Sequence, residues 1–373
     1  MKISKADALI WYRFFAELDE EQELSVRQQE LALAVLRQLE LACEARRQAL
    51  MADIPHLKSM RGRTLYVGDE KKFPKGCVSC LFGSGLNAVR RTNHCNLNCP
   101  FCYDHGHLDD QPPVGEGLWE IGGTRLAEED LPLLFDIQQK PSGVAYVYLE
   151  PFTEIERYHG IIRFFHEKGV YQHLYTNGTL ATPENLRALA EAGLDEIRFN
   201  LGASGCSDRV IAMIAEAKKH FPAVGIETPM TKELYGTFLK KKERILAAGA
   251  DFINFAELHL NENNIANYWG EPMYVHRMGY LSPVWSRELT LRMMAIADRE
   301  GWPALVHDCS NHTKLARGLH EKAVHGGWFG ASGYGAEFER IPFAALIPAL
   351  EDPEIRFTEE EELPEGWRIG ELW

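Results

Sequence analysis

Four helical stretches end at Gly169, Gly193, Gly249 and Gly301, and each gives way within a few residues to an apolar strand. Glycine suits the left-handed residue that closes a helix. Recurring helix, glycine and strand make a repeat of αβ units, and serial αβ units build a parallel sheet. Strands are expected at 86–91, 144–149, 172–175, 196–201, 224–228, 252–256 and 304–307. The expected fold class is α/β: a partial parallel (β/α)6 TIM-like barrel over residues 85–315, with an N-terminal helical extension.

The extension, residues 1–58, is read from an apolar helical face of Leu31, Leu33, Val35, Leu36, Leu39, Cys43 and Leu50. Ser25 and Gln28 are spaced as a capping box at its start. Cys43 on that stripe reads as a small buried hydrophobe. Residues 59–84 read as a Gly-, Lys- and Arg-rich loop with one short strand at 64–67 and the pair Cys77-Val-Ser-Cys80. Residues 316–373 form a C-terminal extension whose acidic run, Glu359 to Glu362, is assigned no role.

With 45% hydrophobic and 25% charged residues, the 373-residue chain is neither mainly disordered nor fibrous. A formal charge of −14 argues against extended nucleic-acid binding, which depends on Lys and Arg releasing counterions from phosphates. The most apolar stretch, 341–350, contains two prolines and is shorter than the roughly 20 residues that span a bilayer. No membrane span is expected. The first 18 residues, with Arg13 and Glu17 and no small-residue cleavage site, lack the pattern of an export signal, so the expected location is cytoplasmic.

Five of the eight cysteines fall between positions 77 and 102, which favours metal ligation over disulfides. Cys95-Asn-Leu-Asn-Cys99-Pro-Phe-Cys102 gathers three thiolates around one tight loop after the first barrel strand. Three thiolates fill three corners of a 4Fe-4S cluster and leave one iron open to a non-protein ligand. Structural zinc wants four closed ligands, usually in paired C-x2-C or His spacings, and ferredoxin runs also need a fourth thiolate. Cys77 and Cys80 with two of the trio would make four ligands but leave one cysteine idle.

Barrels of this kind present function at the C-terminal ends of their strands. That rule selects Glu150, Thr176, Asn177, Arg198, Asn200, Glu227, Glu257 and the run after His307. Arg198 and Asn200 share one strand face; an inward face makes Arg198 a candidate for a ligand carboxylate, and an outward one makes it a surface ion. Asn177-Gly178 is also an ordinary turn signal.

The trio, with an aromatic residue at Phe101, resembles the motif of the radical S-adenosylmethionine (radical SAM) superfamily. The resemblance extends over roughly residues 86–310 and loosely includes proteins similar to pyruvate formate-lyase activating enzymes. It implies a 4Fe-4S cluster on Cys95, Cys99 and Cys102, whose open iron is chelated by the amino and carboxylate groups of S-adenosylmethionine. Reductive cleavage would then release a 5′-deoxyadenosyl radical. Tyr148-Leu-Glu150-Pro151 stands where the family has a Gly-Gly-Glu-Pro-like segment contacting the methionine amino group, though this chain lacks both glycines. A carboxylate facing that ammonium is a charge-assisted hydrogen bond. The resemblance also implies a Thr-Asn-Gly turn at Thr176 to Gly178 and packing of Phe101 near the adenine, with Arg198, Asn200 and Glu227 as further cofactor contacts.

A second set, Cys77, Cys80 and Cys309, is expected to meet because a barrel brings its first and last strands together. An auxiliary iron–sulfur cluster or zinc is the expected occupant, with the fourth position filled by His307 or His312 or left open for substrate. His94, His105, His107, Asp109 and Asp110 flank the trio and are assigned no metal, Cys206 is read as structural, and the Asn-, Tyr- and Trp-rich stretch 259–283 is read as a substrate contact. The expected activity is hydrogen abstraction from an amino-acid residue of a peptide or protein, with a peptide, protein or small-molecule substrate and a one-electron donor such as flavodoxin or ferredoxin. A glycyl-radical-enzyme activase and a non-catalytic iron–sulfur or zinc protein are the alternatives.

Overall fold

Strand and helix alternate in space as they do along the chain. A computed structural model describes residues 4–18, 25–83, 85–91, 94–106, 114–115, 117–277, 279–325 and 342–357. The strands are β1 (Lys58–Met60), β2 (Thr64–Val67), β3 (Leu86–Arg90), β4 (Leu118–Ile121), β5 (Thr124–Ala127), β6 (Gly143–Tyr146), β7 (Tyr171–Thr176), β8 (Glu196–Phe199), β9 (Ala223–Pro229), β10 (Phe252–Ala256), β11 (Met273–Val275), β12 (Leu281–Pro283) and β13 (Leu305–Cys309). The helices are α1 (Lys5–Glu17), α2 (Val26–Ala52), α3 (Lys75–Phe82), α4 (Leu134–Ile137), α5 (His159–Glu167), α6 (Pro183–Glu191), α7 (Asp208–Ala217), α8 (Lys232–Ala247), α9 (Val284–Glu300), α10 (Asn311–His325) and α11 (Phe343–Glu351).

Strands β3, β6, β7, β8, β9, β10 and β13 pair in parallel, in that order, joined by six crossovers. Gly169, Gly193, Gly249 and Gly301 all take positive φ where their helices close. Among the described residues no pairing joins β3 to β13, so the barrel stays open. Antiparallel β2 and β1 cover the β13 edge, and β4 and β5 cover the β3 edge, so neither end of the parallel array offers bare backbone donors. Both edge hairpins lay outside the αβ repeat and were not expected from it.

The outer helices bury single apolar stripes. Helix α5 turns Ile161, Ile162 and Phe165 inward, and α7 turns Val210, Ile211 and Ile214 inward. Each such side chain contributes about 1.5–3 kcal/mol. The inner face of the sheet is instead polar, with His173, Glu196, Arg198 and His307 all buried.

Helix α3 accounts for that polarity and corrects the reading of 59–84 as loop. It lies against the inner face, where a Cβ on Gly76 would stand 2.5 Å from Arg198 Nη2 and 2.7 Å from His173 Nδ1. Only a residue without a side chain lets the helix approach this closely. Cys77 and Cys80, three positions apart on α3, therefore share one side of the helix.

The N-terminal helices form a second core with α11, β11 and residues around Leu258. The Ser25–Gln28 capping box is present at the start of α2, and Cys43 is fully buried, its thiol pushed up to about 12 by burial. No helix among the described residues is long and apolar enough to cross a membrane. Residues His107, Asp109, Asp110 and the acidic run at 359–362 lie outside the described residues.

Candidate functional site

At the end of β6 the chain leaves strand conformation earlier than expected. Tyr148 and Leu149 take φ of 74° and 51°, a region L-residues adopt at a cost of roughly 1–2 kcal/mol each. These are the two places that glycine occupies in the resembled segment, so the backbone path is kept and the cost of side chains is carried. Strain of this kind collects where a site over-determines the backbone. It delivers Glu150, only 1% exposed, into a cavity.

Glu150 is held on three sides. Its carboxylate accepts from the Thr176 hydroxyl at 2.7 Å, the Asn177 backbone N–H at 2.7 Å and the Phe152 N–H at 3.1 Å. Burial raises its pKa, and the Asn177, Thr176 and Phe152 hydrogen bonds offset part of that rise. The turn that supplies these donors ends in Gly178 at φ 74°, where a Cβ would stand 2.8–2.9 Å from Val210 and Phe199 side chains. Thr176-Asn177-Gly178 is thus a turn that also performs a task. Asn177 donates through Nδ2 to Asn96 Oδ1 at 2.9 Å, with Cys95 Sγ at 4.0 Å, and so ties the carboxylate to the cysteine loop.

Cys95, Cys99 and Cys102 line the same cavity as Glu150, with Phe101, Tyr103, Tyr175, Thr176, Asn177, Asn200, Glu227, Glu257, His259 and Lys314 among its other walls. It encloses about 420 Å³, within the span of small-molecule sites. All three thiols are free and half-buried, and burial raises each; Cys99 reaches about 12, with Cys102 and Cys95 adding to the rise. Cys102 Sγ accepts the Asp104 N–H at 3.4 Å.

Within the 259–283 stretch, a row of asparagines holds this loop, and His259 lines the cavity. Asn261 and Asn263 donate to Tyr103 O at 3.0 and 2.6 Å, Asn264 to Phe101 O at 3.2 Å, and Asn267 to Pro100 O at 2.9 Å. An irregular loop leaves its carbonyls without ladder partners, and amide side chains satisfy them. The signal was visible as Asn-Glu-Asn-Asn-Ile-Ala-Asn, 261–267, but nothing local says which carbonyls it meets.

Asn200, Glu227 and Phe101 reach the cavity wall; Arg198 does not. Its strand face is the inner one, as one branch of the expectation required, yet its guanidinium is 2% exposed and ion-paired with Glu196 and Glu227 beneath the cavity floor. It also donates to Tyr175 Oη at 2.9 Å and lies 3.6 Å from Cys77 Sγ. The role of a ligand-carboxylate contact is corrected to that of a buried counter-ion, because α3 occupies the space above it.

Residues 89–234 match the family model of the Radical SAM superfamily. This segment is a radical SAM domain. A Methanocaldococcus jannaschii protein provisionally named a glycyl-radical enzyme activating enzyme is 27% identical over 202 residues, covering 52% of this chain and 52% of its own. The tungsten-containing aldehyde ferredoxin oxidoreductase cofactor-modifying protein of Pyrococcus furiosus is 26% identical over 182 residues, covering 43% of this chain and 48% of its own. Among solved structures, Streptococcus suis SuiB bound to S-adenosylmethionine aligns with a TM-score of 0.42 and 14% identity over 62% of this chain and 51% of SuiB. The chain spans about half the length of the curated relatives it matches.

The residues of the radical SAM domain fit the group its family implies. Three unpaired thiols open onto one cavity, and backbone and amide donors reach two of the sulfurs. Burial that raises the thiols makes binding of a cluster a proton-releasing step, since only thiolates ligate.

A second cavity adjoins the first. It is lined by Cys77, Cys80, Tyr280, His307, Asp308, Cys309, Lys314 and others. Cys77, Cys80 and Cys309 thus line one cavity, with the first two carried there by α3 on the inner face rather than by a closed barrel. Cys77 Sγ lies 3.9 Å from His307 Nε2, and burial lowers the His307 pKa to about 3, leaving a neutral imidazole. Burial raises Cys77 and Cys309 further still. Among the described residues no three His, Cys, Asp or Glu side chains are placed around a single metal ion. His312 turns away and bonds Glu44 at 3.0 Å.

Proposed function

We propose that this chain is a radical SAM enzyme that abstracts hydrogen from an amino-acid residue of a peptide or protein. The observation that carries the reading is that Cys95, Cys99 and Cys102 share one cavity with Glu150, whose carboxylate is fixed by Thr176 and Asn177. Cys95, Cys99 and Cys102 would hold a 4Fe-4S cluster, which, once reduced by the donor, would supply the single electron that cleaves the sulfonium of S-adenosylmethionine into methionine and a 5′-deoxyadenosyl radical. Glu150 faces the ligand's ammonium, and Phe101, from the same loop as the thiols, gives an apolar wall for its adenine. The apolar and aromatic lining keeps water and stray hydrogen donors from the reacting carbon. Cys77, Cys80 and Cys309 are proposed to hold an auxiliary iron–sulfur cluster, with zinc as the other occupant their chemistry admits.

Anaerobic reconstitution with iron and sulfide, metal counting and an assay for 5′-deoxyadenosine with dithionite test this reading. About eight irons with cleavage fit two 4Fe-4S clusters, and about four irons with retained zinc would make the second site a zinc site. A reconstituted protein that forms no 5′-deoxyadenosine would be a binding protein, and the proposal fails. A second reading, activation of a glycyl-radical enzyme, is favoured by the name of the Methanocaldococcus relative. It requires a stable glycyl radical on a partner protein, read by electron paramagnetic resonance; flavodoxin or ferredoxin serves as electron donor in either case.

A further inference from the structure

Between the two cavities runs a rib of four side chains. Tyr103 stacks on His259 with ring centroids 6.4 Å apart, His259 packs on Tyr280 at 4.5 Å, and Lys314 Nζ stands 5.8 Å from the Tyr280 ring. Lys314, in the first turn of α10, lines both cavities. His259 follows β10 and lines the cysteine-trio cavity.

Both are short of partners. Among the described residues Lys314 Nζ has no hydrogen bond or ion pair, and burial pulls its pKa down to about 8. The carboxylates nearest it in the wall are otherwise engaged. Glu227 is ion-paired with Arg198, and Glu257 accepts from Tyr274 Oη and from Asn311 N at 2.8 Å, with Arg47 at 3.6 Å. His259 is 7% exposed, and among the described residues neither of its ring nitrogens has a hydrogen-bond partner. A buried polar group is costly to leave unpaired, by about 1–3 kcal/mol, so unpaired donors on a cavity wall mark where a ligand's acceptor belongs.

We propose that Lys314 and His259 form a subsite for a carboxylate of the substrate, at the junction of the two cavities. This rests on the radical SAM reading above and narrows its substrate to a peptide or amino-acid derivative that bears a carboxylate near the reacting carbon. One ammonium and one imidazole, both on the wall of one cavity and both packed on Tyr280, match a monoanion. A phosphate dianion would meet the same single cation with Glu150, Glu227 and Glu257 in the surrounding walls, and like charges repel it. The Tyr103 and Tyr280 rings both pack on the imidazole and hold it at the cavity wall.

The experiment uses the reconstituted full chain with S-adenosylmethionine bound and two isosteric probes, N-acetyl-glutamate α-amide and N-acetyl-glutamine α-amide. Binding is followed by titration calorimetry. The carboxylate probe is expected to bind about tenfold more tightly than the carboxamide, as a charge-assisted hydrogen bond predicts, and Lys314→Met to abolish the difference while Lys314→Arg restores part of it. Wild-type protein that binds the two probes equally, or neither, overturns the proposal, as does a preference that persists in Lys314→Met. Loss of S-adenosylmethionine binding in Lys314→Met would give the ammonium to that ligand's own carboxylate and overturn it too. Because 5′-deoxyadenosine formation is measured on wild-type protein without either probe, failure of the enzymatic reading is seen separately from failure of the subsite.

Discussion

Glu150 illustrates how much of this site is fixed by individual residues. A buried carboxylate with three donors on its protein side keeps a lone-pair direction for one more, and an ammonium fits it. Glu150→Gln should weaken S-adenosylmethionine binding about tenfold, since a neutral amide loses the charge-assisted bond. Equilibrium binding to reconstituted protein checks this, and an unaltered dissociation constant removes Glu150 from the role. Two residues earlier, Tyr148 stands at φ 74° with its ring about half exposed, 5.7 Å from the Arg90 guanidinium. Tyr148→Gly should relieve about 1–2 kcal/mol of backbone strain against roughly 0.5–1 kcal/mol for lost chain restriction, the half-exposed ring contact at 5.7 Å adding little. The expected result is a small net rise in the urea midpoint, with ligand binding kept.

Among elements, the asparagine row after β10 and helix α2, through its contact with α10, act on the site without entering it. Asn264 is fully buried and donates to Phe101 O and His259 O. Asn264→Ala should destabilise the fold by about 1–3 kcal/mol by leaving those carbonyls unmet. Loss of its hold on the cysteine loop should also speed removal of iron by a chelator; identical release rates would show that the clamp does not support the loop. Glu44 on α2 bonds His312 on α10 at 3.0 Å and lies 3.5 Å from Arg287 on α9. Burial by itself would raise its pKa, but the His312 hydrogen bond and the Arg287 and Arg47 charges together hold it down at about 2. A carboxyl depressed in the folded state stabilises fully above its unfolded value near 4.5, and that contribution is lost as pH falls through about 2. It amounts to about 3 kcal/mol at neutral pH. Glu44→Gln should therefore be less stable than wild type at pH 7, with the gap shrinking steadily below about pH 4.5 in urea titrations.

At the scale of the molecule, the N-terminal helices and the open barrel are one packed body. Arg47 of α2 is fully buried, stacks 4.2 Å above the Tyr274 ring and faces Glu257 on the cavity wall at 3.6 Å. Buried charges are expensive to separate, and removing one partner of such a pair costs about 3–5 kcal/mol. Arg47→Met should lower the urea midpoint by that order and perturb the cavity 's Glu257 wall, whereas a shift like that of a surface arginine would detach α2 from the site. The parallel array is likewise closed by a helix rather than by hydrogen bonds, since α3 fills the inner face that an ordinary barrel packs with apolar layers. That substitution explains why His173, Glu196, Arg198 and His307 are buried and polar together.

The αβ repeat and the grouping of Cys95, Cys99 and Cys102 were determined by local pattern alone, because glycine closure, apolar periodicity and short cysteine spacing act within a few residues. Thr64–Val67 was likewise legible as a strand, and Glu150 as a residue at a strand end. Only the tertiary structure decided that residues 75–82 are a helix on the inner face, since Gly76 and two cysteines give a weak helical signal and contact with Arg198 and His173 selects it. The same is true of Arg198, whose partners come from β9 and α3, and of the asparagines at 261–267, whose acceptors lie some 160 positions away. Hydrogen bonds and ion pairs between distant segments leave no periodicity in the chain, so which polar group meets which is settled only when packing brings them together.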